Sequence, residues 1–163
     1  AHQAGRLRVV AARASDFFGP GVEASAVGQR FFSPLARGKV VRVAGDPDRL
    51  HTYTYVPDFG EAMVRLSATP EAWGKAWHVP NAPTVTTRAF AEQAAELAGT
   101  RLRLRGTPRW QLRLLGRFEP AVGEIVEMLY EFDQDFVVDH TPYATLLGDH
   151  ATPLDEALTA TLK

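Results

Sequence analysis

Short apolar runs and helical apolar stripes alternate along the first hundred residues of the chain. The apolar runs, which are typical of strands, lie at residues 7–14, 39–44, 51–56, 75–79 and 101–105. Between them, apolar residues recur three or four positions apart, as on the buried face of a helix. These helical stripes lie at residues 27–35, 57–66 and 86–99, and a strong later stripe begins at Pro120. Strands that alternate with helices, followed by a largely helical C-terminal lobe, predict an α/β fold.

The first apolar run is nearly continuous. It comprises Leu7, Val9, Val10, Ala11 and Ala12. A run of this kind is typical of a central parallel strand that is covered on both faces. Residues 19–21, Gly-Pro-Gly, then turn the chain sharply. Because ligands bind beyond the carboxyl ends of parallel strands, residues 14–18 are predicted to form a ligand loop.

Proline and capping residues predict where the helices begin and end. Pro34 is expected to end the first helix, because proline lacks the N–H that continues the hydrogen-bond ladder. Pro57 is expected at the first position of the second helix, where no N–H is needed. Thr86 is expected to cap the third helix, and Gly99 is expected to end it.

Composition and charge exclude several classes of protein. The 163 residues are 45% hydrophobic and 23% charged, close to the globular average, which argues against disorder and coiled coil. The formal net charge of -1 gives no electrostatic reason to expect a nucleic-acid partner or an anionic membrane surface. No apolar run approaches the roughly 20 residues that span a membrane. The length predicts a single domain.

The side-chain inventory narrows the chemistry further. The chain contains no cysteine, which excludes disulfides, thiol catalysis and thiolate metal sites. This composition suits a reducing compartment, so a cytoplasmic location is expected. The five histidines show no metal-ligand spacing, and no Gly-x-Ser-x-Gly elbow occurs. Neither a metal site nor a hydrolase triad is predicted.

Three segments follow one another in a specific order: a strand with a Gly-Pro loop, a strand leading to a Tyr-Val-x-Asp helix, and a Gly-Lys-x-Trp strand. They read RVVAARASDFFGPGV from residue 8, GKVVRVAGDPDRLHTYTYVPDFGEAM from residue 38 and GKAWHVPNAPTVTTRAF from residue 74. In this order they resemble the C-terminal half of an extended short-chain dehydrogenase/reductase. More narrowly, the chain resembles the NAD-dependent epimerase/dehydratase family.

The resemblance implies a fold and a division of the chain. The fold would be the C-terminal part of an NAD(P)-binding Rossmann-like fold, with short strands and a largely helical substrate-binding lobe. Residues 1–163 would form a single partial domain. Within it, residues 1–21 would be the last part of the Rossmann sheet, and residues 22–163 would be the substrate-binding lobe. The N-terminal dinucleotide-binding half is expected to lie outside this chain.

Two motifs that the family uses for chemistry do not occur in these residues. No Gly-rich turn opens a helix after a strand, the arrangement that holds the dinucleotide pyrophosphate. No Tyr-x-x-x-Lys pair occurs either, so no catalytic residue is assigned. The resemblance implies NAD or NADP as the cofactor of the complete enzyme. No cofactor is expected to bind this chain alone.

The residues that follow the first strand are the candidate cofactor contact. The resemblance places Ala14, Ser15 and Asp16 beside the nicotinamide ring, with their backbone groups facing its carboxamide. Their position at the carboxyl end of a strand supports this role. The alternative is an ordinary exit from the strand, in which Asp16 makes an Asx-turn.

Four residues are candidates for substrate binding. Phe18 and Phe31 are expected to line an apolar pocket, and core packing is the alternative for such aromatic residues. His51 occupies the position at which sugar-nucleotide epimerases of the family carry a phosphate-binding Arg, and Arg49 is a nearby substitute. The favoured alternative for both is a solvated loop residue. Because His lacks the bidentate fork of Arg, this departure argues against a nucleotide-sugar substrate.

Other polar residues are interpreted as structural. Asp58 lies in the first turn of a predicted helix, where a carboxylate stabilises the helix dipole or caps the helix. His78 lies on a predicted strand and is interpreted as a structural histidine. Glu124, Glu127 and Glu131 share one face of a predicted helix, which is expected to be solvated.

These observations lead to one main hypothesis and one alternative from another class. The main hypothesis is the substrate-binding C-terminal portion of an NAD(P)-dependent epimerase, dehydratase or reductase, inactive alone. Its expected partners are the dinucleotide-binding half and a small-molecule substrate. The alternative is a non-enzymatic binding or assembly module derived from such an enzyme. A homo-oligomer is a further expectation, since the unpaired edge of the first strand is a template for association.

Overall fold

The computed structural model describes residue 5, residues 7–117 and residues 128–163. The strands are β1 (Ala11–Arg13), β2 (Asp16–Phe18), β3 (Val41–Ala44), β4 (Leu50–His51), β5 (Tyr53–Tyr55), β6 (Ala76–His78), β7 (Val85–Thr86) and β8 (Leu104–Thr107). The helices are α1 (Gln29–Ala36), α2 (Val56–Ala68), α3 (Thr87–Leu97), α4 (Arg109–Gly116), α5 (Tyr130–Asp133), α6 (Thr141–Leu147) and α7 (Leu154–Thr161), with a 3₁₀ turn at Pro70–Ala72. No helix in these ranges is long and apolar enough to cross a membrane.

The strands of the described ranges associate as short pairs, most of them parallel. β1 pairs with β6, β2 pairs with β5, and β3 pairs with β8, all in parallel. β4 and β7 are antiparallel, and His51 forms a further parallel bridge with Phe136. Parallel strands connected through helices are characteristic of an α/β fold, so the predicted fold class is confirmed.

The larger buried cluster, here called the Phe90 cluster, joins β2, α1, β3, β5, α3 and α7. Its buried members are Phe18, Val27, Phe31, Leu35, Val41, Tyr53, Phe90, Ala91, Ala94, Ala95, Ala157 and Leu158. The ring of Phe90 lies 4.4 Å from the ring of Tyr53 and 5.2 Å from that of Phe18, measured between centroids. Aromatic rings at such distances add to the stabilisation that burial provides.

The smaller buried cluster, here called the Leu66 cluster, joins β1, β6, α2 and α6. Its buried members are Ala62, Leu66, Ala72, Val79 and Tyr143. Val10 and Ala12 pack against it from β1 and the residue before it. Because side chains alternate along an extended segment, Leu7 and Val9 lie on the opposite face, where they are 57% and 42% exposed.

The strand predicted at residues 7–14 differs from the structure in its bounds, and coverage of both its faces stays a prediction. The strand is shorter, Ala11–Arg13, and its neighbours Leu7 and Val9 stay exposed on the outer face. An apolar sequence makes burial favourable, but burial on both faces needs a packed layer on each side. Within the described ranges, the Leu66 cluster covers one face of this segment.

Two predicted boundaries also differ from the structure. Pro34 lies inside α1, which continues to Ala36, so Pro34 does not end the helix. Proline lacks the N–H that would donate to the carbonyl oxygen four residues earlier, and α1 extends only two residues beyond Pro34. The strand predicted at residues 101–105 is observed at Leu104–Thr107. Its bounds follow its partner, because Val41 pairs with Leu104 at the start of the β3–β8 ladder.

The remaining boundary signals agree with the structure. Pro57 lies in the first turn of α2. The Ala89 N–H donates to the Thr86 hydroxyl oxygen at 3.0 Å, which is the predicted cap of α3. Gly99 follows the end of α3 with φ of +62°, a conformation that favours glycine. The helix predicted to begin at Pro120, with Glu124, Glu127 and Glu131 on one face, lies mostly outside the described residues. Of the three glutamates, Glu131 is described, and it lies in α5.

Candidate functional site

A cavity of about 330 Å³ lies among α1, β2, β3, β5 and the start of α3. Its polar lining residues are Asp16, Ser25, Arg30, Arg42, Tyr53 and Thr87. Its apolar wall includes Val27, Met128 and Phe132. Asp16 lies just beyond the carboxyl end of β1, which is where ligands bind in parallel α/β sheets. The cavity is therefore the candidate functional site.

A buried histidine orients the carboxylate at this site. His51 is 2% exposed, and its Nε2 lies 2.9 Å from Asp16 Oδ2. Since a carboxylate only accepts hydrogen bonds, Nε2 is the donor. The His51 ring stacks on Phe132 with an interplanar angle of 3° and on Phe136 at 29°. His51 is thus an interior residue, and the solvated-loop alternative is wrong for it.

A close approach of the backbone fixes Phe132 against His51. The Asp46 N–H donates to the Phe132 carbonyl oxygen at 3.0 Å. Gly45, with φ of +64°, precedes it, and a Cβ at Gly45 would lie 2.5 Å from that same oxygen. A side chain at Gly45 would therefore displace Phe132 from the cavity wall. The Gly-Asp turn after β3 is what allows this contact, because glycine carries no Cβ.

The structure places three of the predicted substrate-binding residues away from the cavity lining. Phe18 and Phe31 are buried members of the Phe90 cluster, as the core-packing alternative expected. Arg49 is exposed and its Nε lies 3.5 Å from Asp46 Oδ2. His51 does not line the cavity, but it contacts Asp16 and Phe132, which do. Substrate contact by these residues stays a prediction.

Some of the groups predicted to contact the cofactor form hydrogen bonds within the protein instead. The Ser15 N–H donates to Thr54 Oγ1 at 2.9 Å, and the Ser15 hydroxyl donates to the Thr52 carbonyl oxygen. The Asp16 side chain binds His51 rather than forming an Asx-turn. Ser15 therefore has no donor left for a nicotinamide carboxamide. Among the described residues, no hydrogen bond involves the backbone of Ala14, so its N–H and C=O are the groups that fit this role.

Tyr53 contributes a neutral hydroxyl to the cavity. Its oxygen lies 2.8 Å from Thr87 Oγ1. Burial raises the pKa of Tyr53 far above its usual range, and the negative charge of Asp16 raises it further against the opposing hydrogen bond from Thr87. The phenol consequently stays protonated at neutral pH. It serves this site as a hydrogen-bonding group rather than as a base.

Sequence reasoning missed Arg30 and Arg42, the two cations of the cavity. Arg30 lies on α1 and Arg42 on β3, and both are exposed. An exposed arginine on a helix or strand is ordinary in sequence, so neither residue stood out. The available signal was an Arg between two valines, Val41 and Val43, in a predicted strand.

Solved structures identify the fold, whereas no family model and no curated protein matches the sequence. UDP-glucuronic acid 4-epimerase from Bacillus cereus, in complex with UDP-glucuronic acid and NAD, superimposes with a TM-score of 0.72 at 15% identity. The chain has the fold of NAD-dependent epimerases and dehydratases. The match covers 99% of this chain and 46% of the epimerase.

Two further structures agree with this assignment. An epimerase from Methanothermobacter thermautotrophicus gives a TM-score of 0.74 at 17% identity, over 99% of this chain and 44% of that one. RMD from Pseudomonas aeruginosa, in complex with NADPH, gives 0.68 at 20% identity, over 98% of this chain and 48% of that one. The chain thus spans slightly under half the length of the structures it matches. At these identities the likeness shows the fold alone.

Proposed function

We propose that this chain forms the substrate-binding part of an NAD(P)-dependent epimerase, dehydratase or reductase, and that residues 22–163 supply most of that part. The observation that carries the proposal is the cavity beyond the carboxyl end of β1, with the Asp16–His51 pair at its edge. Small-molecule sites are concave, largely apolar and furnished with a few placed polar groups. The cavity has this composition, and its volume of about 330 Å³ lies within the range of such sites.

The proposed cofactor is NAD or NADP, bound mostly by residues outside these 163. The structures that share this fold include one in complex with NAD and one in complex with NADPH. This chain has neither the Gly-rich fingerprint nor a Tyr-x-x-x-Lys pair. When bound, the nicotinamide would supply hydride transfer. The contribution of this chain would be the Ala14 backbone toward the cofactor and the cavity toward the substrate.

The chain is proposed to be inactive alone, which a cofactor titration tests. Calorimetric titration of the 163-residue chain with NAD and with NADP is expected to give no saturable heat. The physical reason is that the sequence contains no Gly-rich turn that opens a helix after a strand, the arrangement that cradles a pyrophosphate. Tight binding of either dinucleotide would sink the proposal that cofactor binding needs other residues.

The two methionines of the chain provide a matched pair for testing the cavity. Met128 lines the cavity, whereas Met63 is an exposed residue of α2. With selectively ¹³C-labelled methionine methyl groups, we expect monosaccharides or their phosphates and acids to shift the Met128 signal and leave the Met63 signal unchanged. If no member of such a panel moves Met128, the cavity is not the substrate site. A silent Met128 in a self-associating chain would support the assembly module instead.

A further inference from the structure

We infer that residues 101–117, here called the arginine segment, dock onto the surface of a bilayer that contains anionic phospholipids, independently of the substrate cavity. The net charge of -1 conceals how the charge is distributed. The arginine segment contains six arginines and no acidic residue, so the rest of the chain, with 12 cationic and 19 acidic residues, has a formal charge of -7. Because the Debye length in physiological salt is only about 8 Å, local charge governs attraction to an anionic surface.

The first half of the arginine segment presents its cations on one side of an extended backbone. Leu102 and Leu104 pack against the Phe90 cluster. The residues that alternate with them, Arg101, Arg103 and Arg105, are exposed. β8 begins within this half, and its parallel ladder with β3 fixes its orientation. The fold therefore holds three arginines on the face that points away from the core.

The second half of the segment places arginines beside exposed apolar side chains. Trp110, Arg113 and Leu114 of α4, and Arg117 directly after it, recur at i, i+3, i+4 and i+7, which is the spacing of one helical face. Trp110 and Leu114 are 65% and 57% exposed, and both arginines are exposed too. A helical face that combines Trp and Leu with neighbouring cations is typical of segments that lie in a membrane interface.

The exposed arginines of the segment have no acidic partner among the described residues. The arginines that form ion pairs in those ranges, Arg49, Arg65 and Arg88, all lie outside the segment. What distinguishes the segment from other unpaired arginines is its density of cations, without an intervening carboxylate. Cations that lie close to an anionic bilayer each add to its attraction, so clusters of four to eight are typical of lipid-binding segments. The exposed members here are Arg101, Arg103, Arg105, Arg113 and Arg117.

The exposed apolar side chains favour a bilayer over a nucleic acid. Leu114 offers an aliphatic surface, which gains free energy by leaving water for a hydrocarbon environment. Trp110 carries an amphipathic ring of the kind that is enriched at the level of lipid headgroups. A phosphate backbone would pair with the arginines but would leave the leucine in water. The combination of both kinds of side chain therefore indicates a lipid surface.

Co-sedimentation with vesicles tests the partner. We expect the chain to bind vesicles of phosphatidylcholine and phosphatidylglycerol at least about tenfold more tightly than vesicles of phosphatidylcholine alone, and this binding to weaken as sodium chloride is added. Equal binding to the two kinds of vesicle, or no binding to either at low salt, overturns the inference. A single-stranded oligonucleotide that binds more tightly than the anionic vesicles would assign the segment to nucleic acid instead.

Charge-removing variants test whether the arginine segment is the docking surface. Arg105→Gln combined with Arg113→Gln removes one exposed cation from each half and should weaken binding to the anionic vesicles at least about tenfold. Arg37→Gln combined with Lys163→Gln is the matched control, because it removes two exposed cations outside the segment. The control should change binding by less than about threefold. Equal losses in the two double variants would mean that net charge, rather than this segment, drives binding.

The fluorescence of Trp110 tests whether its helical face contacts the bilayer. The Nε1 groups of Trp73 and Trp77 donate to backbone carbonyl oxygens, whereas Trp110 is largely exposed. Anionic vesicles with brominated acyl chains should quench the fluorescence of the chain, and Trp110→Phe should remove most of that quenching. Quenching that persists in Trp110→Phe, or binding without any quenching, would show that this face does not enter the interface and would overturn the inference.

Discussion

The Phe90 cluster and the Leu66 cluster are both built on parallel strand pairs, but they are enclosed to different degrees. Helices α1, α3 and α7 surround the strands of the Phe90 cluster, and its aromatic members are almost completely buried. The Leu66 cluster is covered by α2 and α6 on one face of β1, while Leu7 and Val9 lie exposed on the other. Within the described chain, the strands of the Phe90 cluster are covered by helices. The segment of β1 beside the Leu66 cluster has one apolar face that is exposed.

The difference shows where the candidate site obtains its rigidity. The cavity borders the Phe90 cluster, through Val27 and Tyr53, which belong to both. These two lining residues are therefore held in place by packing within the cluster. Two hydrogen bonds from Thr152, before α7, to Asp58 of α2 form one link between elements of the two regions. The edge-to-face contact between Phe17 of β2 and Phe59 of α2, with ring centroids 5.1 Å apart, is another.

Truncation of Phe90, at the centre of the Phe90 cluster, is expected to have the largest effect on stability. Phe90 is fully buried and its ring lies within about 6 Å of the rings of Phe18, Phe31 and Tyr53. Phe90→Ala should lower the free energy of unfolding by about 3–5 kcal/mol, because it removes buried area and leaves a cavity. Urea denaturation measures this loss. A loss below about 2 kcal/mol would mean that the region collapses around the gap and is less rigid than described.

Breaking the Asp58–Thr152 link between the regions is expected to have an intermediate effect on stability. Asp58 is buried, and its carboxylate accepts from the Thr152 N–H at 2.8 Å and from the Thr152 hydroxyl at 2.6 Å. Asp58→Ala leaves both donors unpaired and should cost about 1.5–3 kcal/mol. Asp58→Asn keeps one amide oxygen as acceptor and should cost less. Equal losses in urea denaturation for the two variants would contradict a role for these hydrogen bonds.

Replacing a buried leucine and an exposed leucine by alanine tests the exposed face beside the Leu66 cluster. Leu66→Ala, at a fully buried position, should cost about 2–5 kcal/mol. Leu7→Ala, at a position that is 57% exposed, should change stability by no more than about 0.5 kcal/mol. Both are measured by thermal or urea unfolding. A large cost at Leu7 would show that another molecule covers this face in solution, and light scattering would then reveal association.

The smallest expected effect concerns the exposed ion pair between Arg88 and Asp48. The Arg88 guanidinium donates to both carboxylate oxygens of Asp48 and holds the pKa of that carboxyl below its ordinary value of 3.8. A lowered folded-state pKa stabilises the protein above the ordinary pKa, and this contribution is lost as pH falls through the folded-state value. Arg88→Gln should raise the pKa of Asp48 in a carbon-13 carboxyl titration. Arg49→Gln, whose partner is Asp46, is the control and should leave it unchanged.

Local signals in the sequence predicted much of the fold. The Thr86 cap, the proline in the first turn of α2 and the glycine after α3 depend on the backbone of a few neighbouring residues, so they are readable without tertiary information. The strands at residues 39–44, 51–56 and 75–79 were located within a few residues for the same reason. The bounds of β8 were missed because its ladder with β3 sets them.

The candidate site was predicted only in parts. Asp16 was assigned to the cofactor and His51 to the substrate, but the two were not expected to meet, because 35 residues separate them in sequence. Arg30 and Arg42 were missed because a charge on an exposed helix or strand position is ordinary. Their role appears only when α1 and β3 are placed against the same cavity.

The sequence by itself determined the α/β character, most helix boundaries and the absence of cysteine chemistry, because these depend on local backbone preference and composition. The tertiary structure alone decided which apolar runs are buried, that His51 lies inside rather than in a solvated loop, and that Asp16, Arg30 and Arg42 share one cavity. Burial depends on the layers that distant segments place over a residue. The continuous apolar run at residues 7–12 shows this dependence, since the described chain packs one of its faces and leaves the other exposed.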